Sequence, residues 1–174
     1  MTNFNESEHP RAADGAFTEK RQSEPQVSLT SREVFEQRLR TTSTEAGLGG
    51  VMPQILDVVH DRENVSQEDL MDLEAGDITA LYDDHIAPAI DAAEFDLSNR
   101  TATAEASDVR AHLTRVAREA GLEVMGEVLS VLRDRETVSD STFGALTADD
   151  ITALYEEHIS AGIDDAEREL QGSN

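Results

Sequence analysis

The chain has 174 residues, no cysteine and no tryptophan, and a formal net charge of −23 at pH 7. The absence of cysteine excludes disulfides and thiolate metal sites, and an aromatic content of 4% requires an aliphatic core. An acidic field of this size repels nucleic acid and anionic membranes and favours basic partners. No apolar run is long enough to span a bilayer and the first residues lack a signal-peptide pattern, so a soluble cytoplasmic protein is expected.

Residues 1–30 are rich in Asn, Ser, Glu, Pro and Gln and have no apolar period. This composition predicts a flexible N-terminal arm. The segment from His9 to Arg21 resembles a short leader motif of uncharacterised bacterial proteins of phage and plasmid type, and the resemblance implies no activity. One aromatic residue, Phe17, stands near Lys20 and Arg21. We therefore regard Phe17, Lys20 and Arg21 as a candidate docking arm, against the alternative of a solvated tail.

The remainder of the chain contains an internal repeat. Residues 51–97 recur as residues 124–170, a constant 73 positions later, with about half of the positions identical. Self-similarity of this kind predicts one structural unit used twice, and each unit is too small to bury a large core alone. We therefore expect an all-α protein in which two tandem repeats share a core as one pseudo-twofold bundle. The expected divisions are an arm at 1–30, a first repeat at 31–97, a linker at 98–106, a second repeat at 107–170 and a tail at 171–174.

The first predicted helix of each repeat carries an apolar stripe at helical spacing and a serine at its start. Ser31 and Ser107 are candidate N-caps. Each helix runs into a Glu-Ala-Gly-Leu segment, and Gly47 and Gly121 suit a left-handed helix stop there. The predicted helices span residues 31–42 and 107–118.

The second predicted helix has an apolar arc wide enough to make it the most buried helix of each repeat. A short third helix follows, for which Ser66 with Asp69 predicts a capping box. The fourth helix is the longest, with Thr147 as a candidate cap of the second copy and with Ile78 and Ile151 facing the core. The predicted spans are 51–61 and 124–134 for the second helix, and 75–97 and 148–170 for the fourth.

Acidic residues on the fourth helices form the main candidate functional feature. Seven residues make two helical turns, so carboxylates at this interval align about 10 Å apart. A row of like charges slightly destabilises a helix, so fold stability alone does not require the row. The functional interpretation is a surface that grips a basic partner, and the alternative is an ordinary solvated face. The candidate partner-binding residues are Asp77, Asp84, Asp91, Asp150, Glu157 and Asp164.

Two histidines, His85 and His158, occupy the same repeat position, one turn after Tyr82 and Tyr155. Both fall inside the apolar arc, which favours structural histidines bonded to a backbone carbonyl or to tyrosine. A metal would need ligands from other helices. No nucleotide-binding loop or catalytic triad pattern is present. We therefore predict no catalytic, cofactor-binding or metal-binding residues.

The turn after each second helix begins with Asp-Arg-Glu, but Val65 stands where a calcium loop needs an oxygen ligand. We expect Arg62 and Arg135 to bind carbonyls at the helix end or to pair with acids of the long helix. Basic residues are also frequent in the first helices. We expect them to form ion pairs with acids of the same chain, including those of the fourth helices, or to support self-association. These residues are Arg32, Arg38, Arg40, Arg110, His112, Arg115 and Arg118.

The functional hypothesis from the sequence is a non-enzymatic interaction protein that captures a basic or Arg-rich partner, without direct binding of nucleic acid or membrane. A first alternative is a nucleic acid mimic that inhibits a DNA-binding protein, which free duplex DNA would compete away. A second is an enzyme that uses His85 or His158, for which replacing each histidine by alanine would abolish a reaction and leave the melting temperature nearly unchanged. A third is salt adaptation of an ordinary helical domain, which a strong gain of melting temperature in molar potassium chloride would reveal. Self-association stays open.

Overall fold

All regular structure in the described residues, which are 31–100, 102 and 108–172 of this computed structural model, is helical. The predicted all-α class is confirmed for this part of the chain. In the first repeat, α1 is Ser31–Glu45, α2 is Val51–Asp61, α3 is Gln67–Met71, and the long α4 joins Ala75–Leu81, Tyr82–Ile86 and Ala87–Ser98. In the second repeat, α5 is Val109–Glu119, α6 is Glu123–Asp134, α7 is Asp140–Ala145, and the long α8 joins Ala148–Leu154, Tyr155–Ile159 and Ser160–Gly172.

The buried apolar residues of both repeats belong to one hydrophobic core. Ile78 and Ile151 are fully buried, as the apolar arc of the long helices predicts. The second helices contribute many of the buried side chains of this core. Met52, Ile55 and Val59 of α2 are fully buried, and α6 buries its equivalent face. The core is mostly aliphatic, because few aromatic side chains are available to fill it.

Glycine ends the first helix of each repeat, as predicted. Gly47 has φ +76° and Gly121 has φ +70°. The N–H of Leu48 donates to the carbonyl of Ser43 at 2.7 Å, the bond that closes a left-handed helix end. A side chain at either glycine would be strained, since the left-handed region disfavours residues with a Cβ atom.

The predicted helix starts are partly confirmed. The hydroxyl of Ser66 accepts a hydrogen bond from the N–H of Asp69 at 3.1 Å, and the hydroxyl of Thr147 caps α8. The expectation for Ser31 is wrong, because α1 begins at Ser31 itself, which is therefore a helical residue. Ser107 lies outside the described residues, and the carboxylate of Asp108 caps α5.

Each long helix contains a π-helical turn that the sequence analysis did not predict. The turns are Tyr82–Ile86 and Tyr155–Ile159. The backbone N–H of Ala87 donates to the carbonyl of Tyr82, five residues earlier, instead of four. Such a turn inserts one extra residue, which rotates everything after it by about 100° relative to an ideal α-helix. The expected straight rows of acids spaced by seven residues are therefore broken at the middle of α4 and α8.

None of the described helices combines the length and the apolar character that crossing a membrane requires. The predicted arm at 1–30, with Phe17, Lys20 and Arg21, lies outside the described residues. So does most of the predicted linker.

Candidate functional site

The long helices α4 and α8 pack against each other in antiparallel orientation around their π turns. Nε2 of His85 lies 2.6 Å from a carboxylate oxygen of Glu169. Farther along α4, a carboxylate oxygen of Asp96 lies within 4.8 Å of a ring nitrogen of His158 in α8. Residue numbers rise on one helix as they fall on the other, which fixes the antiparallel direction. Between these contacts Gly162 lies against the backbone of His85.

Arg62 links the first repeat to α8. Its guanidinium donates to Asp164 and, at 2.9 Å, to Glu167, and Asn64 donates to the same Glu167 carboxylate at 2.6 Å. The side chain of Glu167 is only 8% exposed, so this carboxylate needs a cation close to it. Burial opposes the charge of Arg62, but the hydrogen bonds to Glu167 and Asp164 raise the pKa of its guanidinium above the ordinary value.

Arg135 makes the corresponding link from the second repeat to α4. Its guanidinium donates to Asp91 and to Glu94, and the hydroxyl of Thr137 also donates to Glu94. These residues stand 73 positions from Arg62, Asp164, Glu167 and Asn64, with the two repeats exchanged. The prediction that the turn arginines pair with acids of a long helix is confirmed, and in both cases the long helix belongs to the other repeat.

Four of the six candidate partner-binding acids have partners within the fold. Asp91 and Asp164 bind the turn arginines. Asp77 accepts a hydrogen bond from the N–H of Glu74 at 2.9 Å and thereby helps to begin α4. Asp150 caps α8 in the same way through Thr147 and also binds a guanidinium N–H at 3.0 Å. Their carboxylates therefore serve first to order the helices.

The two remaining candidates, Asp84 and Glu157, lie in the π turns and are exposed. Asp83 and Glu156 stand directly before them and are also exposed. No hydrogen bond or ion pair joins any of these four carboxylates to another residue in the described ranges. Both long helices thus present a solvent-facing acid pair close to the place where the helices meet. We call these four residues the acid pairs.

The prediction that His85 and His158 bond to a backbone carbonyl or to a tyrosine is wrong about the partner. Nε2 of His85 meets the carboxylate of Glu169, not a backbone carbonyl or a tyrosine. The shorter Asp96 stands at the position equivalent to Glu169, and Nε2 of His158 is buried without a hydrogen-bond partner in the described part of the chain. A carboxylate from the opposite repeat could not be recognised from spacing along one helix.

Among the described residues, two groups of side chains place their potential metal-ligand atoms within 4.8 Å of one another. Arginine already occupies a carboxylate in each group. Arg32 lies 3.6 Å from Asp57, and Arg100 donates to Asp96 at 2.9 Å. A cation would have to displace or approach a guanidinium, so we do not interpret either group as a metal site. The groups are Asp57, His60 and Asp61, and Asp96, Glu157 and His158.

The basic first helices pair internally in part. Arg32 binds Glu36 at 2.9 Å and Arg115 binds Glu119 at 2.8 Å. Arg38 donates to the backbone carbonyls of Met71 and Leu73, at and just after the end of α3. The expected pairing of first against fourth helices is wrong: among the described residues, the acids of the long helices bind Arg62, Arg100, Arg135, Arg168 and His85 instead. Arg62 and Arg135, which bind these acids, belong to the turns that follow the second helices.

The hydrogen bonds to Glu94 predict a dependence of stability on pH. The hydroxyl of Thr137, followed by Arg135, lowers the pKa of Glu94 below its ordinary value. A carboxylate whose pKa is lower in the folded state stabilises the fold above its unfolded pKa of about 4.3 and loses this contribution as the pH falls. We therefore expect Thr137→Val to lower the melting temperature at pH 7, with a difference from wild type that shrinks as the pH falls towards 3.

The control for this pH experiment is Thr41→Val, because the hydroxyl of Thr41 donates to the backbone carbonyl of Gln37 and accepts from the side-chain amide of the same residue, and neither group titrates. Its effect should be the same at every pH. A difference between Thr137→Val and wild type that stays constant from pH 7 to pH 3 would contradict the role assigned to Glu94.

No family model matches this chain, and neither a curated protein nor a solved structure does.

Proposed function

We propose that this is a non-enzymatic interaction protein that captures a basic, Arg-rich protein segment through the acid pairs of its two long helices. The observation that carries the proposal is the exposure of Asp83, Asp84, Glu156 and Glu157 without partners in the described structure, whereas most neighbouring acids are used internally. Arginine is the expected counterpart, because its planar guanidinium binds carboxylates through two parallel hydrogen bonds.

The net charge of −23 supports the same proposal. A field of one sign over the whole molecule attracts a basic segment from a distance and raises its association rate. The acid pairs then supply short-range contacts at a defined place. Mimicry of nucleic acid would need a longer, denser run of charge, since duplex DNA carries one charge about every 1.7 Å, and capping and internal pairing remove several acids from such a run.

We further propose that the chain arose by duplication and that its repeats pack about a pseudo-twofold axis. The exchanged contacts of Arg62 with α8 and of Arg135 with α4 support this arrangement. Under it, the two acid pairs are equivalent and lie on either side of the axis. A partner with two basic clusters would engage both pairs at once and gain affinity from the second contact.

The experiment compares two variants that change the net charge equally. Asp84→Asn with Glu157→Gln removes one carboxylate from each acid pair. Glu45→Gln with Asp134→Asn removes two exposed carboxylates elsewhere that have no partner in the described residues. Binding of a synthetic Arg-rich peptide is measured by fluorescence anisotropy at 0.15 M salt.

We expect the acid-pair variant to bind at least about tenfold more weakly, and the control variant to stay within about twofold of wild type. Equal weakening in the two variants would mean that only net charge attracts the peptide, and the proposed site would be wrong. Melting temperatures of both variants should remain near that of wild type, since neither removes an internal contact.

A further inference from the structure

A cleft of about 380 Å³ lies between α5 and α6. Leu113, Ala117 and Gly126 contribute its apolar surface. Its volume lies in the range of pockets that bind small molecules, about 300–1,000 Å³. The polar residues that line the cleft are Gln54, Arg110, Thr114, Arg118, Glu123, Glu127, Ser130 and Arg133.

Three arginines of this cleft form neither an ion pair nor a hydrogen bond to a backbone carbonyl within the described residues, unlike most other arginines there. Eleven of the thirteen arginines lie in the described residues. Six of them form ion pairs, and Arg38 binds backbone carbonyls. Of the four that have neither kind of partner in that part of the chain, Arg110, Arg118 and Arg133 all line the cleft.

This concentration is unexpected in so acidic a protein. With 37 acidic residues available for 14 basic ones, an arginine has many chances to pair. Glu123 and Glu127 line the same cleft, yet no hydrogen bond or ion pair within the described residues joins them to its arginines. The guanidinium donors are thus available to a ligand, and Arg133 is half-buried, which strengthens its interaction with an anion.

The equivalent cleft of the first repeat has the opposite character. It is smaller, about 200 Å³, and is lined by Glu36 and Asp57 together with Arg40. The first helices align at an offset of 74 residues, as Gly47 and Gly121 do, so Glu36 stands where the second repeat has Arg110. The second helices align at an offset of 73, so Asp57 stands where it has Ser130. Arg32 binds both of these acids. The first-repeat cleft thus contains two acids that Arg32 pairs and one arginine, Arg40, without such a partner, whereas the second-repeat cleft contains three arginines without one.

We infer that the cleft between α5 and α6 binds the phosphate group of a small molecule. Guanidinium groups are well suited to phosphate, because they offer paired N–H donors and hold their charge at any physiological pH. Ser130 and Thr114 add hydroxyl groups at the same site, and the apolar surface of Leu113 and Ala117 can cover the organic part of a phosphate ester. This site is separate from the acid pairs and does not depend on the proposed capture of a basic partner.

The test is an NMR titration of the full chain with sodium phosphate and, in a second arm, with adenosine monophosphate. Sodium acetate at the same ionic strength separates phosphate recognition from general attraction of anions. Arg118→Gln and Arg133→Gln each remove one cation from the cleft. Arg40→Gln removes the same charge from the equivalent cleft of the first repeat and is the matched control.

We expect saturable shifts of backbone signals in residues 113–118 and 126–133 with phosphate, and weaker or no shifts with acetate. Each cleft variant should bind phosphate at least about tenfold more weakly, whereas Arg40→Gln should stay within about twofold. Tighter binding of adenosine monophosphate than of phosphate would assign the apolar surface to the organic part of the ligand, and equal binding would restrict recognition to the phosphate group. Shifts that fail to saturate, that acetate reproduces, or that Arg40→Gln weakens equally would overturn the inference.

Discussion

Replacing Arg62 with methionine is expected to lower the free energy of unfolding by about 3 kcal/mol, because the change leaves a buried carboxylate without its cation. Glu167 is the carboxylate concerned, and its side chain is 8% exposed. Asn64 and Gln171 also donate to it, but neutral amides compensate a buried negative charge only in part. Urea unfolding at pH 7 measures the change.

Two further variants separate this effect from the loss of a surface ion pair. Arg168→Met removes a bridge to Asp165 in which the arginine side chain is 70% exposed, and it should cost less than about 1 kcal/mol. Combining Arg62→Met with Glu167→Leu removes both charges of the pair and should restore much of the stability. A double variant as unstable as Arg62→Met alone would show that Arg62 stabilises the fold through packing, not through Glu167.

The sequence predicts the helices well because their signals are local. Apolar residues at helical intervals locate the first, second and fourth helices of each repeat, and capping residues predict the short third helix. The helix α2 has the predicted bounds, Val51–Asp61. Gly47 and Gly121 end the first helices as expected, since a left-handed residue at a helix end is a property of a few neighbouring positions. The helix bounds that differ do so by only a few residues at the ends.

The sequence contains an indication of the π turns, an unusual interval between buried residues, that a helical wheel of 100° per residue does not show. Leu81 and Ile86 are consecutive members of the buried stripe of α4, and the interval between them is five residues, not three or four. On a wheel of 100° per residue, Tyr82 and His85 fill this gap and continue the stripe. In the structure both are only partly buried. The five-residue interval indicates a turn with one extra residue.

The partners of the charged residues could not be predicted, because they come from the opposite repeat. Spacing along one helix relates Asp91 to Asp84, but it does not place Arg135 beside Asp91. The same limit applies to His85 and Glu169, which are 84 residues apart in the chain. An acidic helix face therefore has two readings from sequence alone, a binding surface or half of an internal ion-pair network, and only the packing of α4 against α8 distinguishes them.

Gly162→Ala is the second substitution with a large expected effect, because Gly162 of α8 lies directly against the backbone of α4. A Cβ atom on Gly162 would lie 2.7 Å from the backbone carbonyl oxygen of His85 and 3.0 Å from the Cβ of Ala89. A backbone carbonyl in the middle of a helix cannot rotate away as a flexible side chain can, so the helices must move apart. We expect a loss of about 1–3 kcal/mol, the usual cost of overpacking a core, measured by urea unfolding.

The close approach also predicts which second substitution will fail to rescue the first. Ala89→Gly removes the methyl group at 3.0 Å, but the carbonyl oxygen of His85 at 2.7 Å remains, so the double variant should stay destabilised. Gly76→Ala is the control, since a Cβ there meets nothing within 4 Å and replaces glycine by a better helix former, which should leave stability unchanged or raise it by up to about 1 kcal/mol. If Gly162→Ala is as well tolerated as Gly76→Ala, α4 and α8 do not pack at this distance. The contacts of His85, Arg62 and Arg135 between the two repeats, which depend on that packing, would then also be wrong.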